Sequence, residues 1–122
     1  MPISLYDHRM LEKEADALWS KFILRKATGG ECQCCFKRRP LQAAHNIGRG
    51  RCRVTRHEPD NGLPLCAACH RRIDSDPEEK RALFLGAIGQ ERYERLQLMK
   101  CAGGKPDLKL VVLDLRAQLE RL

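Results

Sequence analysis

Apolar positions along the chain fall into three regimes. Leu11, Ala15, Leu18, Trp19, Phe22 and Ile23 recur every three or four residues, and this spacing predicts an amphipathic packing helix over about residues 8–26 that ends near "TGG". From Glu31 to about Asp74 that period disappears. Short apolar runs, "LQAAHNI" and "NGLPLC", stand there among glycines and arginines and predict two short strands separated by a loop.

Beyond Asp74 the helical signals return. In "SDPEEKRALFLGAIG", Asp76 suits an N-cap, Pro77 suits the first helical position, and Glu79 stands where it would complete a capping box, which predicts a helix over about residues 77–88. "QERYERLQLMK" resumes the helix after Gly89, and "CAGGKPD" breaks it. "LKLVVLDLRAQLERL" is apolar nearly all round its first half; Asp107 would start a helix there, although "KLVVL" alone also fits a strand. Its breadth implies burial against the first helix or against a second subunit, in a homodimer built through the terminal helices. The class is therefore α+β. At 122 residues the chain reads as one compact domain, with a central module over 31–76 between an N-terminal helix within 1–30 and a helical extension over 77–122.

Charge changes the picture more by its placement than by its total. Lys and Arg number 23 against 16 for Asp and Glu, a formal charge of +7. Between Cys32 and His57 there is no acidic residue, while Lys37, Arg38, Arg39, Arg49, Arg51, Arg53 and Arg56 are all cationic. The whole surplus thus sits in the cysteine-rich segment. A solvated basic face is the plain reading of such a run; contact with DNA, mainly through phosphates, is the functional one. With aromatics at 5%, a base-stacking platform for single strands is poorly supported. The N-terminus has no basic-then-apolar signal pattern, and the apolar runs are far shorter than the ~20 residues of a membrane span. The chain is expected to be soluble and cytoplasmic, with no membrane partner.

Seven cysteines, an odd number, fit metal ligation in a reducing compartment better than a disulfide framework. Cys32 with Cys35 and Cys66 with Cys69 each form a C-x-x-C pair, and two such pairs can close a structural Zn²⁺ site of four thiolates. Cys34 could replace one ligand. A redox C-x-x-C would explain neither the second pair nor the missing strand-then-helix context. Cys52 and Cys101 are left as ordinary thiols.

"AAHNIGRGRCRVTRHEPDNGLPLCAACHRRID" resembles the zinc-supported HNH endonucleases of the ββα-metal fold, whose pattern is a strand histidine, a loop, and then N-x-x-x-L-C-x-x-C-H entering a helix. Here these are His45, Asn61, Leu65, Cys66, Cys69 and His70. "CAACHRRIDSDPEEKRALFLGAIGQERYERL" is further similar to the lambda-type phage recombination nucleases called NinG or Rap. The resemblance implies a ββα-metal module, hydrolysis of DNA to 5′-phosphate and 3′-hydroxyl ends, and a branched or recombination-intermediate substrate in the cytoplasm of a host cell. One position departs from the family: Ala44 stands where an acidic residue or histidine usually supplies a second metal ligand.

The chemistry of these residues makes the same sense. Phosphodiester hydrolysis needs a base for water and a cation for the developing charge. His45 would be the base, acting near its unperturbed pKa of about 6.5. Asn61 would fix the loop through hydrogen bonds to backbone. His70 would ligate Mg²⁺ or Mn²⁺, with Asp74, four residues on along the same helix face, as a further ligand. His57 is a weaker candidate. Each has a plainer reading: His45 as a packed core histidine, His70 as an extra zinc ligand, Asn61 as a turn residue, Asp74 as a surface or capping aspartate. On those readings the protein is a non-catalytic zinc-finger DNA-binding module. Gly48 and Gly50 would let the backbone approach phosphate closely beside the arginines.

Overall fold

The computed structural model describes residues 5–27 and 29–122. Its elements run α1 (Leu5–Arg25), β1 (Leu41–His45), a 3₁₀ turn (Pro59–Asn61), β2 (Gly62–Cys66), α2 (Ala67–Ser75), α3 (Pro77–Ile88), α4 (Gln90–Ala102) and α5 (Leu108–Glu120). The mixed α+β class expected from the sequence is the class observed. No helix among the described residues is long and apolar enough to cross a membrane.

β1 and β2 pair antiparallel, with Leu41 opposite Cys66 at one end and His45 opposite Gly62 at the other. That register separates two kinds of chemistry along the hairpin, sulfur at one end and imidazole at the other. Every residue of β2 is buried. Pro64 has no N–H to give, but its carbonyl accepts the N–H of Gln33 at 2.9 Å, which stitches the first cysteine pair onto the strand.

Buried side chains gather in three clusters. Ala44, Leu65, Ile73 and Phe84 share a cluster with Cys32, Cys66 and Cys69. Trp19, Phe22 and Ile23 of α1 meet Leu115 and Leu119 of α5. Ile47, Cys52 and Leu96 support the loop between the strands. The broad apolar face of α5 is thus covered in part by α1, one of the two burials its pattern implied.

Helix ends follow the sequence with one correction. Asp76 accepts the N–H of Glu79 at 3.1 Å, but the reciprocal half of the capping box does not form. The Asp76 N–H instead bonds to the carbonyl of Ile73, because it also closes α2, and the Glu79 carboxylate pairs with Arg72 at 2.8 Å. For "KLVVL" the helical reading prevails: Asp107 accepts the N–H groups of Lys109 and Leu110, and Leu108, Val112, Leu115 and Leu119 are buried at helical spacing.

Gly62 explains how closely α1 approaches the hairpin. Its backbone is extended, at φ −150°, so any residue could adopt its conformation. Space is the constraint, since a Cβ there would collide with the Trp19 indole and the Ile23 side chain.

Candidate active site and metal centre

At the Leu41–Cys66 end, Cys32, Cys35, Cys66 and Cys69 bring four sulfurs within 4.8 Å of one another. Cys35 and Cys66 Sγ are 3.9 Å apart. Tetrahedral zinc with bonds of ~2.3 Å requires sulfurs about 3.8 Å apart, so the residues fit the ion. Backbone N–H groups of Cys34 and Cys66 donate to Cys32 Sγ at 3.4 and 3.3 Å. Burial works against a thiolate at Cys32, but N–H donors from Cys35, Cys66 and Cys34 outweigh it and bring the group down to about 6. Burial and the neighbouring sulfurs push Cys69 the other way. A divalent cation held by the four sulfurs would relieve that conflict by keeping all of them as thiolates. Cys34 lies outside the cluster and accepts from Arg72 Nη2 at 3.0 Å. Cys52 is a buried free thiol and Cys101 an exposed one.

At the other end, the His45 ring stacks on Trp19, with centroids 3.9 Å apart and planes inclined by 14°. His45 Nε2 lies 3.0 Å from the carbonyl oxygen of Arg56. A carbonyl only accepts, so Nε2 carries the hydrogen and Nδ1 of the neutral ring keeps its lone pair. Burial is the main reason the pKa of His45 is pushed down to about 4, and the Arg56 carbonyl and Asp16 only partly oppose it. The near-unperturbed value expected from the sequence is therefore corrected: desolvation keeps the ring neutral well below pH 6.5, as a weaker base than a free imidazole.

Asn61 is fully buried, one residue before the Gly62 that pairs with His45 in the hairpin. Its Oδ1 accepts the N–H of Ile47 at 2.8 Å, and its Nδ2 donates to the carbonyls of Ile47 and Thr55 at 3.0 and 2.9 Å. One side chain thereby joins both branches of the loop between the strands.

His70 lies on α2, one residue past the second cysteine pair. Its Nδ1 donates to Gln42 Oε1 on β1 at 2.8 Å, which leaves Nε2 as the nitrogen able to ligate. That atom is 3.3 Å from Asp74 Oδ2. Two adjacent ligands of an octahedral cation with bonds of ~2.1 Å sit about 3 Å apart, so this pair offers two neighbouring positions of such a shell. Ala44, only 1% exposed, packs into the core and contributes no third.

His45, His70 and Asp74 line one cleft of about 580 Å³. Of the sequence-predicted cations, Arg49 and Arg51 line it too, joined by Lys80, Arg81 and Lys100 from α3 and α4. Residues 27–76 match the HNH endonuclease family model. No curated protein and no solved structure matches the chain. The HNH segment holds both cysteine pairs, the hairpin and α2, and it points to nuclease or DNA-binding function. α1 and α3–α5 lie outside it, so Trp19 and the Lys80–Arg81–Lys100 wall are additions to the HNH segment.

The remaining predicted residues lie elsewhere. Lys37, Arg38 and Arg39 are exposed beside the first cysteine pair and off the cleft. Arg53 is exposed on another face, beside Pro106. Arg56 is engaged: its Nε and Nη2 donate to Asp16 at 2.9 and 2.7 Å, and Nη1 is 3.5 Å from Glu12. His57, weighed above as a ligand, is buried and also bonded to Asp16, at 2.8 Å. Partial burial opposes the charge of Asp16, but bonds from Arg56 and His57 outweigh it and hold the carboxyl below its ordinary range. No local sequence signal announces Asp16, Trp19 or Gln42. Their partners lie roughly 25–40 residues away along the chain, beyond any spacing rule.

Proposed function

We propose that the protein is a metal-dependent DNA endonuclease that hydrolyses phosphodiester bonds, leaving 5′-phosphate and 3′-hydroxyl ends. The observation that carries this reading is the common cleft. A neutral imidazole with a free Nδ1, and a histidine–carboxylate pair spaced for one cation, open into the same cation-rimmed space. In the reaction, His45 Nδ1 takes the proton from the attacking water, and Asn61 keeps the loop carrying that geometry from shifting. Arg49, Arg51 and the α3–α4 cations hold the flanking phosphates without reading bases. His70 Nε2 and Asp74 would hold Mg²⁺ or Mn²⁺, which would supply positive charge for the leaving oxygen. A zinc held by Cys32, Cys35, Cys66 and Cys69 would have no open position and would fix α2 against the hairpin.

A second reading, a non-catalytic zinc-finger DNA-binding module, is favoured by one contact. Lys80 Nζ lies 3.2 Å from Asp74 Oδ1, so an ammonium already pairs with that carboxylate.

The test is cleavage of plasmid, linear and four-way-junction DNA with Mg²⁺ or Mn²⁺, beside His45→Ala. The expected loss on removing a general base is about 10²–10⁴-fold, with zinc content and DNA binding retained. Faster cutting of the junction than of the linear duplex supports a recombination-intermediate substrate. Equal behaviour of parent and variant sinks the enzymatic reading.

A further inference from the structure

An imidazole that serves as a base must keep two things constant, the plane of its ring and the nitrogen that bears its hydrogen. Both are set here by a helix outside the HNH segment. The Trp19 indole lies flat on the His45 ring at 3.9 Å. It is itself locked, because its Nε1 donates to the carbonyl of Glu58 at 2.8 Å and it is only 3% exposed. The carbonyl that receives His45 Nε2–H belongs to Arg56, whose guanidinium is forked onto Asp16. Asp16 and Trp19 stand three residues apart on one face of α1. One helix face thus grips the ring and, through Arg56, the acceptor of its proton.

We propose that α1 is part of the catalytic apparatus, with Trp19 and Asp16 acting as positioning residues that fix the plane and the tautomer of His45. The proposal rests on the nuclease reading and adds a role for residues that the family match does not cover. Trp19 does more than pack. Its face shuts water from one side of the ring, and an aromatic face attracts the imidazolium that forms when the base takes its proton. The charged and titratable groups facing His45 are Asp16 of α1 and Arg49, Arg56 and His57 of the loop, with His70 of α2 on the same cleft. With Asp16 bonded to both Arg56 and His57, its loss frees the residue that orients the ring.

The experiment is ¹⁵N NMR of the histidine rings in the zinc-loaded full chain without DNA, paired with cleavage kinetics, on the parent, Trp19→Ala, Trp19→Phe and Asp16→Ala. The parent is expected to show His45 as the Nε2–H tautomer. Trp19→Phe keeps an aromatic face and retains that signal. Trp19→Ala and Asp16→Ala yield mixed tautomers and kcat lowered roughly tenfold with KM for DNA not raised. The midpoint rises from about 4 in Trp19→Ala, where water reaches the ring, and does not rise in Asp16→Ala, which removes a carboxylate that favours the charged ring. Trp19 is a core residue, so if Trp19→Ala does not fold, the partly exposed Asp16 decides the matter alone. Parent-like ring signals in folded, zinc-loaded variants overturn the proposal, whatever happens to cleavage. A parent that holds the tautomer and loses it in the variants, yet cuts no DNA, supports the α1 clamp on His45 and sinks the nuclease reading instead.

Discussion

At its Leu41–Cys66 end the hairpin is tied by sulfur from two local sequence pairs; at its His45–Gly62 end it is tied by Asn61, Trp19 and Asp16, which come from distant stretches of chain. The first tie is local, and a metal held by its four sulfurs would make it strong. The second is a set of ordinary hydrogen bonds and ring contacts, each modest and jointly exacting. The sulfur end would tolerate small shifts so long as four thiolates meet, whereas the proposed chemistry at the imidazole end would depend on which nitrogen carries a hydrogen.

Denying the four sulfurs a metal is the harshest way to probe this contrast. Structural zinc contributes on the order of 10 kcal/mol to folding of small modules. A strong chelator, or Cys66→Ser, is expected to abolish cooperative unfolding of the hairpin and α2 by circular dichroism and calorimetry. Retention of a sharp transition would mean that the α1 end can hold the hairpin alone.

Asn61→Ala attacks the other end and should leave zinc bound. It strands the Ile47 N–H and two carbonyls in a buried place, a cost of about 3 kcal/mol in urea unfolding. A loss under 1 kcal/mol would show that the loop has other means of support.

Acid distinguishes the ends through protonation. A basic group whose folded pKa is lowered binds fewer protons when folded, so its share of stability is fully present above the unfolded value near 6.5 and is lost as pH falls through about 4. Cleavage limited by chemistry should accordingly be flat above about pH 5.5 and fall about tenfold for each pH unit below the His45 midpoint of about 4. Stopped-flow cleavage and urea titrations at matched pH would check it. A rate that keeps climbing between pH 6 and 7.5 would return His45 to an open, water-exposed setting.

Salt gives the smallest effect. Arg49→Ala and Lys80→Ala, at the cleft, should each flatten the log K against log salt slope for duplex DNA by about 0.9. Arg38→Ala, at the sulfur end, should leave it unchanged. An equal change at Arg38 would extend the DNA track over both ends of the hairpin.

The sequence disclosed the sulfur end almost completely, because C-x-x-C spacing is a local rule and metal geometry leaves little freedom. His45, Asn61 and His70 stood out through a pattern compressed into one segment and Asp74 through its place four residues after His70; the structure brings His45, His70 and Asp74 to one cleft and buries Asn61. The hidden parts share a cause. Trp19 looked like one more apolar position on a packing helix, and Asp16 like a solvated acid. What they touch depends on how α1 lies across the hairpin, which the absence of a side chain at Gly62 permits. Arg56, counted with the phosphate-binding cations, is instead engaged by acids of α1, a pairing that composition conceals. Burial of His45 likewise moved it away from the titration range its residue type suggests.

The backing of Trp19 by Leu115 and Leu119 carries a temporal consequence. Contacts so far apart in the chain are the slow ones to form. The cysteine pairs can capture metal while the ribosome is still extending the polypeptide, but the tryptophan gains its support only after α5 has been translated. The histidine would be armed late, when the rest of the molecule is already in place to restrain it.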